Sequence, residues 1–162
     1  MMITPKGYVE ISSGVYIEAK RVKIITQRKT ASKTFRNLVK LTKENGTYVK
    51  LAPAKQEDNV YVIADDHLYL VSFSYEELIE KLTMAGIRLV KVSSDAYVPV
   101  TYIKAVYDLE NELVSWSLKN YSLPEAILQF VSYGEKRKTA LILRSDEVVY
   151  LSKSTKEVLE GM

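Results

Sequence analysis

The feature that most constrains this chain is that it nearly repeats itself. Residues 66–82, "DHLYLVSFSYEELIEKL", align without a gap to residues 146–162, "DEVVYLSKSTKEVLEGM", at an offset of 80. Asp66/Asp146, Ser72/Ser152, Ser74/Ser154, Glu77/Glu157 and Glu80/Glu160 are identical. A second block, "YVEISSGVYI" (8–17), aligns with "LVKVSSDAYV" (89–98) at an offset of 81, and Val22/Ile103, Lys23/Lys104 and Ile25/Val106 continue it. Two separate blocks that keep nearly one offset point to an internal duplication, in which each copy is one supersecondary unit. Repeat one covers about 1–86 and repeat two about 87–162. Only "TMAGIRLV" joins them, with one glycine and no linker, so the reading is one fused domain over 1–162.

Each copy predicts the same order of elements. A strand (8–12; 89–94) leads through a small-residue turn into a second (15–26; 96–108). After a middle section comes a hairpin (59–64 with 67–73; 138–144 with 147–152), turning at Asp65-Asp66 and Ser145-Asp146, where short polar residues tolerate tight geometry. A helix closes the unit, and Ser74-x-x-Glu77 and Ser154-x-x-Glu157 read as capping boxes at its start. The middle sections differ, and Asn45-Gly46 in the first is a hairpin signal.

The hairpin strands "VYVI", "LYLV", "ALIL" and "VVYL" carry no polar alternation. A strand with one wet face alternates, so these should be covered on both sides. Helices cover one side. The other is expected to project Tyr61, Ile63, Tyr69 and Val71 in copy one and Leu141, Leu143, Val149 and Leu151 in copy two. Either another molecule or the chain's own middle section must cover it.

Composition narrows the chemistry. The 162 residues hold no cysteine and a single histidine, His67, which removes thiolate catalysis and Cys-based metal sites. No apolar run reaches the roughly 20 residues of a membrane span, and the N-terminus has no signal pattern, so a cytoplasmic protein is expected. Abundant lysine, glutamate and tyrosine lean toward a thermophile. Charge is uneven: residues 1–58 hold twelve Lys/Arg against five Asp/Glu, a net of +7, while residues 59–162 come to −4. A basic half suggests a surface for a polyanion. Two enzymatic readings are weaker. Glu18-x-Lys20 matches the end of a nuclease metal-site pattern but lacks a second carboxylate to share the cation. Asp65-Asp66-His67 lies on a predicted turn with no nucleophile at a fixed spacing. No enzyme activity and no cofactor are expected.

The duplicated units, the doubly apolar strands and the basic flank together resemble the TATA-box-binding protein family. "TALILRSDEVVYLSKS" is similar to the family's Thr-Ala-Leu-Ile-Phe hairpin, and "SSDAYVPVTYIKAVY" to the stretch opening its second repeat, with Asp95, Pro99 and Tyr107 in place. "SKTF" is similar to the family's Pro-Lys-Arg-Phe. The resemblance implies an α+β saddle: two pseudo-symmetric repeats forming one curved antiparallel sheet, helices on the convex face and duplex DNA on the concave one. It places the wedge positions that unstack base steps at Phe35, Ile63, Leu123 and Leu143. The concave face then holds Tyr61, Tyr69, Val71, Leu141, Val149 and Leu151. Phosphate contacts are expected from Lys20, Lys23, Arg28, Lys33, Arg36 and Lys40. The family's paired asparagines are replaced near Tyr8 and Leu89, and its Thr-Gly by Val71-Ser72 and Leu151-Ser152. These changes imply a divergent, transcription-related DNA-binding protein with altered sequence readout, archaeal or viral in type and associated with the nucleoid. The resemblance further implies transcription factor B, or a viral or plasmid counterpart, as a protein partner. The alternative is a non-enzymatic protein-interaction or homodimer module that uses the apolar concave face.

Overall fold

The computed structural model of the chain describes residues 7–28, 47–53, 59–65, 67–93, 95–119, 127–130 and 135–162. Its fold is mixed α+β, mostly strands in antiparallel sheets with few helices. In chain order, β1 (Tyr8–Ser12), β2 (Val15–Glu18), β3 (Val22–Arg28), β4 (Thr47–Lys50), β5 (Asn59–Ala64) and β6 (His67–Val71) precede helix α1 (Tyr75–Met84). Next come β7 (Leu89–Ser93), β8 (Ala96–Pro99), β9 (Ile103–Asp108), helix α2 (Glu112–Lys119), β10 (Ile127–Phe130), β11 (Thr139–Leu143), β12 (Val148–Leu151) and helix α3 (Thr155–Glu160).

The long second strand expected in each half is broken. Ala19–Arg21 and Val100–Tyr102 form one turn of 3-10 helix each, with the Val22 amide bonded to Ala19 O and the Ile103 amide to Val100 O. The break lets the chain leave one strand partner and meet another. Both helix starts follow the sequence: the Ser74 and Ser154 hydroxyls accept from the Glu77 and Glu157 amides, each at 3.2 Å.

Strand registers repeat across the halves. Tyr8, Val9, Glu10 and Ser12 face Glu18, Ile17, Tyr16 and Val15, and Leu89, Val90, Lys91 and Ser93 face Pro99, Val98, Tyr97 and Ala96, each 81 residues later. A bulge interrupts both pairs at the same place, before Ser12 and before Ser93. Likewise β3 pairs with β5 as β9 pairs with β11, and the register shifts at Lys23 in one and Lys104 in the other. Edge strands β4 and β10 lie parallel to β6 and β12.

The sheets themselves depart from a single curved antiparallel sheet. Described strands divide into a pair β1-β2, a four-stranded sheet β10-β12-β11-β9 and a six-stranded sheet β4-β6-β5-β3-β8-β7. The six-stranded sheet is built from both halves, because β8 adds to the outer edge of β3.

Three apolar clusters separate the layers. One lies on the face of the six-stranded sheet covered by α1 and β1, with Val9, Ile11, Ile25, Val62, Leu78 and Leu82 at its centre. The second joins the six-stranded and four-stranded sheets, from Ile24, Ile63, Leu68 and Leu70 across to Leu141, Leu143, Val149 and Leu151. The third lies on the far side of the four-stranded sheet, where Ala140, Ile142 and Val148 meet Leu118 of α2. Strands β5 and β11 are buried at every residue. The missing polar alternation therefore meant what it suggested, coverage on both faces. The Asn45-Gly46 hairpin signal lies outside the described residues.

Candidate nucleic-acid interface

The apolar residues expected to form an open concave face are core. Ile63 is 7% exposed and Leu143 0%, and Tyr61, Leu141, Val149 and Leu151 are buried in the same cluster. A side chain with no solvent face has no path into a base step, so Ile63 and Leu143 do not stand as wedges. Phe35 and Leu123 lie outside the described residues.

The turns explain why the expected faces were misassigned. In the first hairpin Ala64 pairs with His67, leaving two loop residues, the first of them Asp65 with φ 54°. In the second, the Leu143 amide bonds Glu147 O at 2.9 Å, leaving three, the last of them Asp146 with φ 68°. That extra residue matters because a one-residue shift exchanges the faces of a strand. Tyr61 pairs with Leu70, so Tyr69 and Val71 point to the opposite face and pack with the α1 cluster. The register equivalent of Ile63 is Ile142, not Leu143: Ile63 pairs with Leu68 as Ile142 pairs with Val148. The two sheets thus present opposite faces of their units to the shared core.

The expected phosphate contacts fare unevenly. Lys23 is a correction: its side chain is 11% exposed and its ammonium lies 3.1 Å from the Glu147 carboxylate. The bulge in β3 turns it inward, toward the second hairpin, and the Tyr102 ring lies 6.0 Å away. Lys20 is exposed but paired with Glu18 at 3.3 Å. Arg28 closes β3 opposite Asn59. Lys33, Arg36 and Lys40 lie outside the described residues. Glu18, the acid of the nuclease-like pattern, is held by both Lys20 and Arg21, the latter at 3.4 Å. Arg21 also reaches Asp65 of the first turn at 3.4 Å.

A different group of cations stands out. Lys136, Arg137 and Lys138 run consecutively into β11, and Lys136 and Arg137 are exposed. Among the described residues these three make no ion pair, whereas Lys20, Arg21, Lys23, Lys81 and Lys104 all do. The Arg137 guanidinium lies 4.2 Å from the Tyr150 ring centre, which holds a planar donor group at the surface. The Lys138 amide bonds Leu151 O at 2.9 Å, which fixes the loop against the end of β12.

Hydrogen bonds tie further cations to the same end. Thr139, fully buried, donates its hydroxyl to Lys153 O at 2.7 Å, and the Lys153 ammonium donates to Lys91 O at 2.8 Å. Lys91 and Lys156 are exposed beside it. Glu135 and Glu157 flank the group, and the Glu157 carboxylate accepts from the Ser154 hydroxyl at the start of α3 at 3.4 Å. Among the described residues the arrangement supplies positive charge and N–H donors, which suits binding of an anionic polymer. Sequence reasoning missed it because the second half is acidic overall; the signal was the triplet "KRK" at the entry to a strand.

No protein-family model matches the chain, and no curated protein matches it.

Proposed function

We propose that this chain is a two-copy, non-enzymatic DNA-binding module, transcription-related in role, that grips duplex phosphates from outside its sheets. The observation that carries the reading is the Lys136-Arg137-Lys138 run, unpaired with acids among the described residues and joined by backbone and hydroxyl bonds to Lys153 and Lys91. The repeated registers of β1-β2 with β7-β8, and of β3-β5 with β9-β11, support the two-copy reading. Duplex DNA remains the ligand that the basic surface suits. The contact surface moves from the sheet face, which is core, to this cationic end. Readout through phosphates carries little sequence information, in keeping with altered rather than TATA-like specificity.

Fluorescence anisotropy of labelled duplexes at stepped salt tests the reading. Binding should weaken steeply with salt, the logarithmic slope falling by about 0.9 for each phosphate contact. Lys136→Glu with Arg137→Glu should abolish binding, while Lys20→Glu should change it little. If no duplex binds at low salt, the proposal fails. If the double variant binds like the parent, the cationic end is the wrong surface.

A second reading, a protein-interaction role, is favoured by α2. Leu113 and Trp116, three residues apart on one helical face, are 72% and 65% exposed. Leu113→Asp leaving DNA binding intact while abolishing capture of a protein partner would favour it.

A further inference from the structure

We propose that copies of this chain join head to tail, strand β2 of one copy adding to the open edge of β9 in the next. Within one chain the contact already exists in equivalent form. Strand β8 adds to β3, with Ile25 opposite Tyr97 and Thr26 opposite Ala96. The Gln27 amide donates to Asp95 O at 2.9 Å, and the Thr26 hydroxyl to the same oxygen at 2.8 Å. The second half supplies the hairpin and the first half the edge.

The reverse pairing has both parts in place, and among the described residues neither edge has a strand partner. Strand β9 is the edge of the four-stranded sheet, and β1-β2 is a two-stranded sheet of its own. Moving the β8·β3 register by 81 residues, the offset that relates β1-β2 to β7-β8, sets Val106 opposite Tyr16 and Tyr107 opposite Val15 of a second copy.

The backbone is poised for it. The Leu109 amide donates to Lys138 O in the β11 direction at 2.9 Å. Backbone groups alternate along a strand, so the amides of Asp108 and Val106 point away from β11, to the open side. Asp108 occupies the place that Gln27 holds in the closed contact.

Exposure tells the same story. Ile25, Thr26 and Ala96 of the closed contact are 0%, 5% and 0% exposed. Their counterparts are less covered: Tyr107 is 37% exposed, and Val106 and Val15 are half-buried. An uncovered apolar edge is a template for another strand. The surfaces are different on the two partners, so the contact is heterologous, and repetition gives a closed ring or an open filament. Nothing in this assembly depends on whether DNA is bound.

Analytical ultracentrifugation of the full chain decides the matter. The parent should form multiples of its 18.5 kDa mass, with the average rising with concentration until a ring closes. Tyr107→Lys disables one end and Val15→Lys the other, so each variant alone should sediment at 18.5 kDa. Mixed in equal amounts, they retain one good edge and one good hairpin between them and should give a two-chain species. Asp108→Pro removes an outward amide without touching the β11 ladder and should repeat the Tyr107→Lys result. A parent that stays a single chain at every concentration overturns the proposal. So does assembly of folded variants like the parent, or failure of the folded pair to complement, with circular dichroism confirming folding.

Discussion

Strands β3 and β9 pair with β5 and β11 in the same register and bulge at equivalent lysines, Lys23 and Lys104, yet among the described strands β3 is paired on both sides and β9 on one. Strand β3 lies between β5 and β8, and its Ile24 and Ile25 are 1% and 0% exposed. Among the described strands β9 has only β11 beside it, and its Ala105 and Val106 are half-buried. The lysines differ in the same sense. Lys23 sits inside, paired with Glu147, while Lys104 sits outside, paired with Asp146. Equivalent local sequence therefore produces equivalent pairing, and the neighbour across the edge decides whether a side chain becomes core, a buried ion pair or surface.

The largest effect that tests this contrast comes from the shared core. Leu143→Ala, at a site with 0% exposure, should cost about 2–5 kcal/mol in urea unfolding. Val106→Ala, on the open strand, should cost about 1 kcal/mol or less. Equal costs would mean that β9 is as well covered as the inner sheet. Next come the lysines. Lys23→Ala strips a partner from Glu147 and should cost about 2 kcal/mol. Lys104→Ala removes an exposed pair and should cost under about 1 kcal/mol, fading in high salt. A double-mutant cycle with Glu147→Gln and Asp146→Asn separates pair energies from packing.

Smaller differences follow at the helix caps. Ser74→Ala in the ten-residue α1 should cost about 1 kcal/mol, and Ser154→Ala in the six-residue α3 about 0.5 kcal/mol, read from thermal melts.

The smallest concerns the hairpins. Glu10 of β1 occupies the place of Lys91 in β7. The Gly14 amide bonded to its carboxylate at 3.1 Å lowers its pKa below the ordinary carboxylate value, with help from Lys81 and Tyr16 and against partial desolvation. A folded-state pKa below the unfolded one gives stability that is present above the unfolded value and lost as pH falls through the folded one. Protection of β1-β2 amides from hydrogen exchange should fall on acidification below the usual carboxylate range, while β7-β8 stays unchanged. Glu10→Gln should remove that pH dependence.

Much of the fold was legible in the chain. The capping serines, the first turn and the double coverage of β5 and β11 follow from local residue pattern, because capping, turn geometry and strand burial are set within a few residues. The partner of each face was not legible. Ile63 and Leu143 read alike in sequence, but one extra residue in the second turn puts them on different faces of their units. The cationic end was obscured for a related reason: Lys91, Lys136–Lys138 and Lys153 lie far apart in the chain and meet only through the Thr139 and Lys153 bonds.

The sequence by itself determined the paired hairpin strands and the capped helices that follow them, since these rest on short-range periodicity and on turns a few residues long. Only the tertiary structure decided that β8 crosses to β3, that the apolar hairpin faces close on each other, and that among the described strands β9 and β2 keep an edge without a strand partner. Those outcomes depend on which surfaces meet across the whole chain, and apolar burial is indifferent to sequence distance.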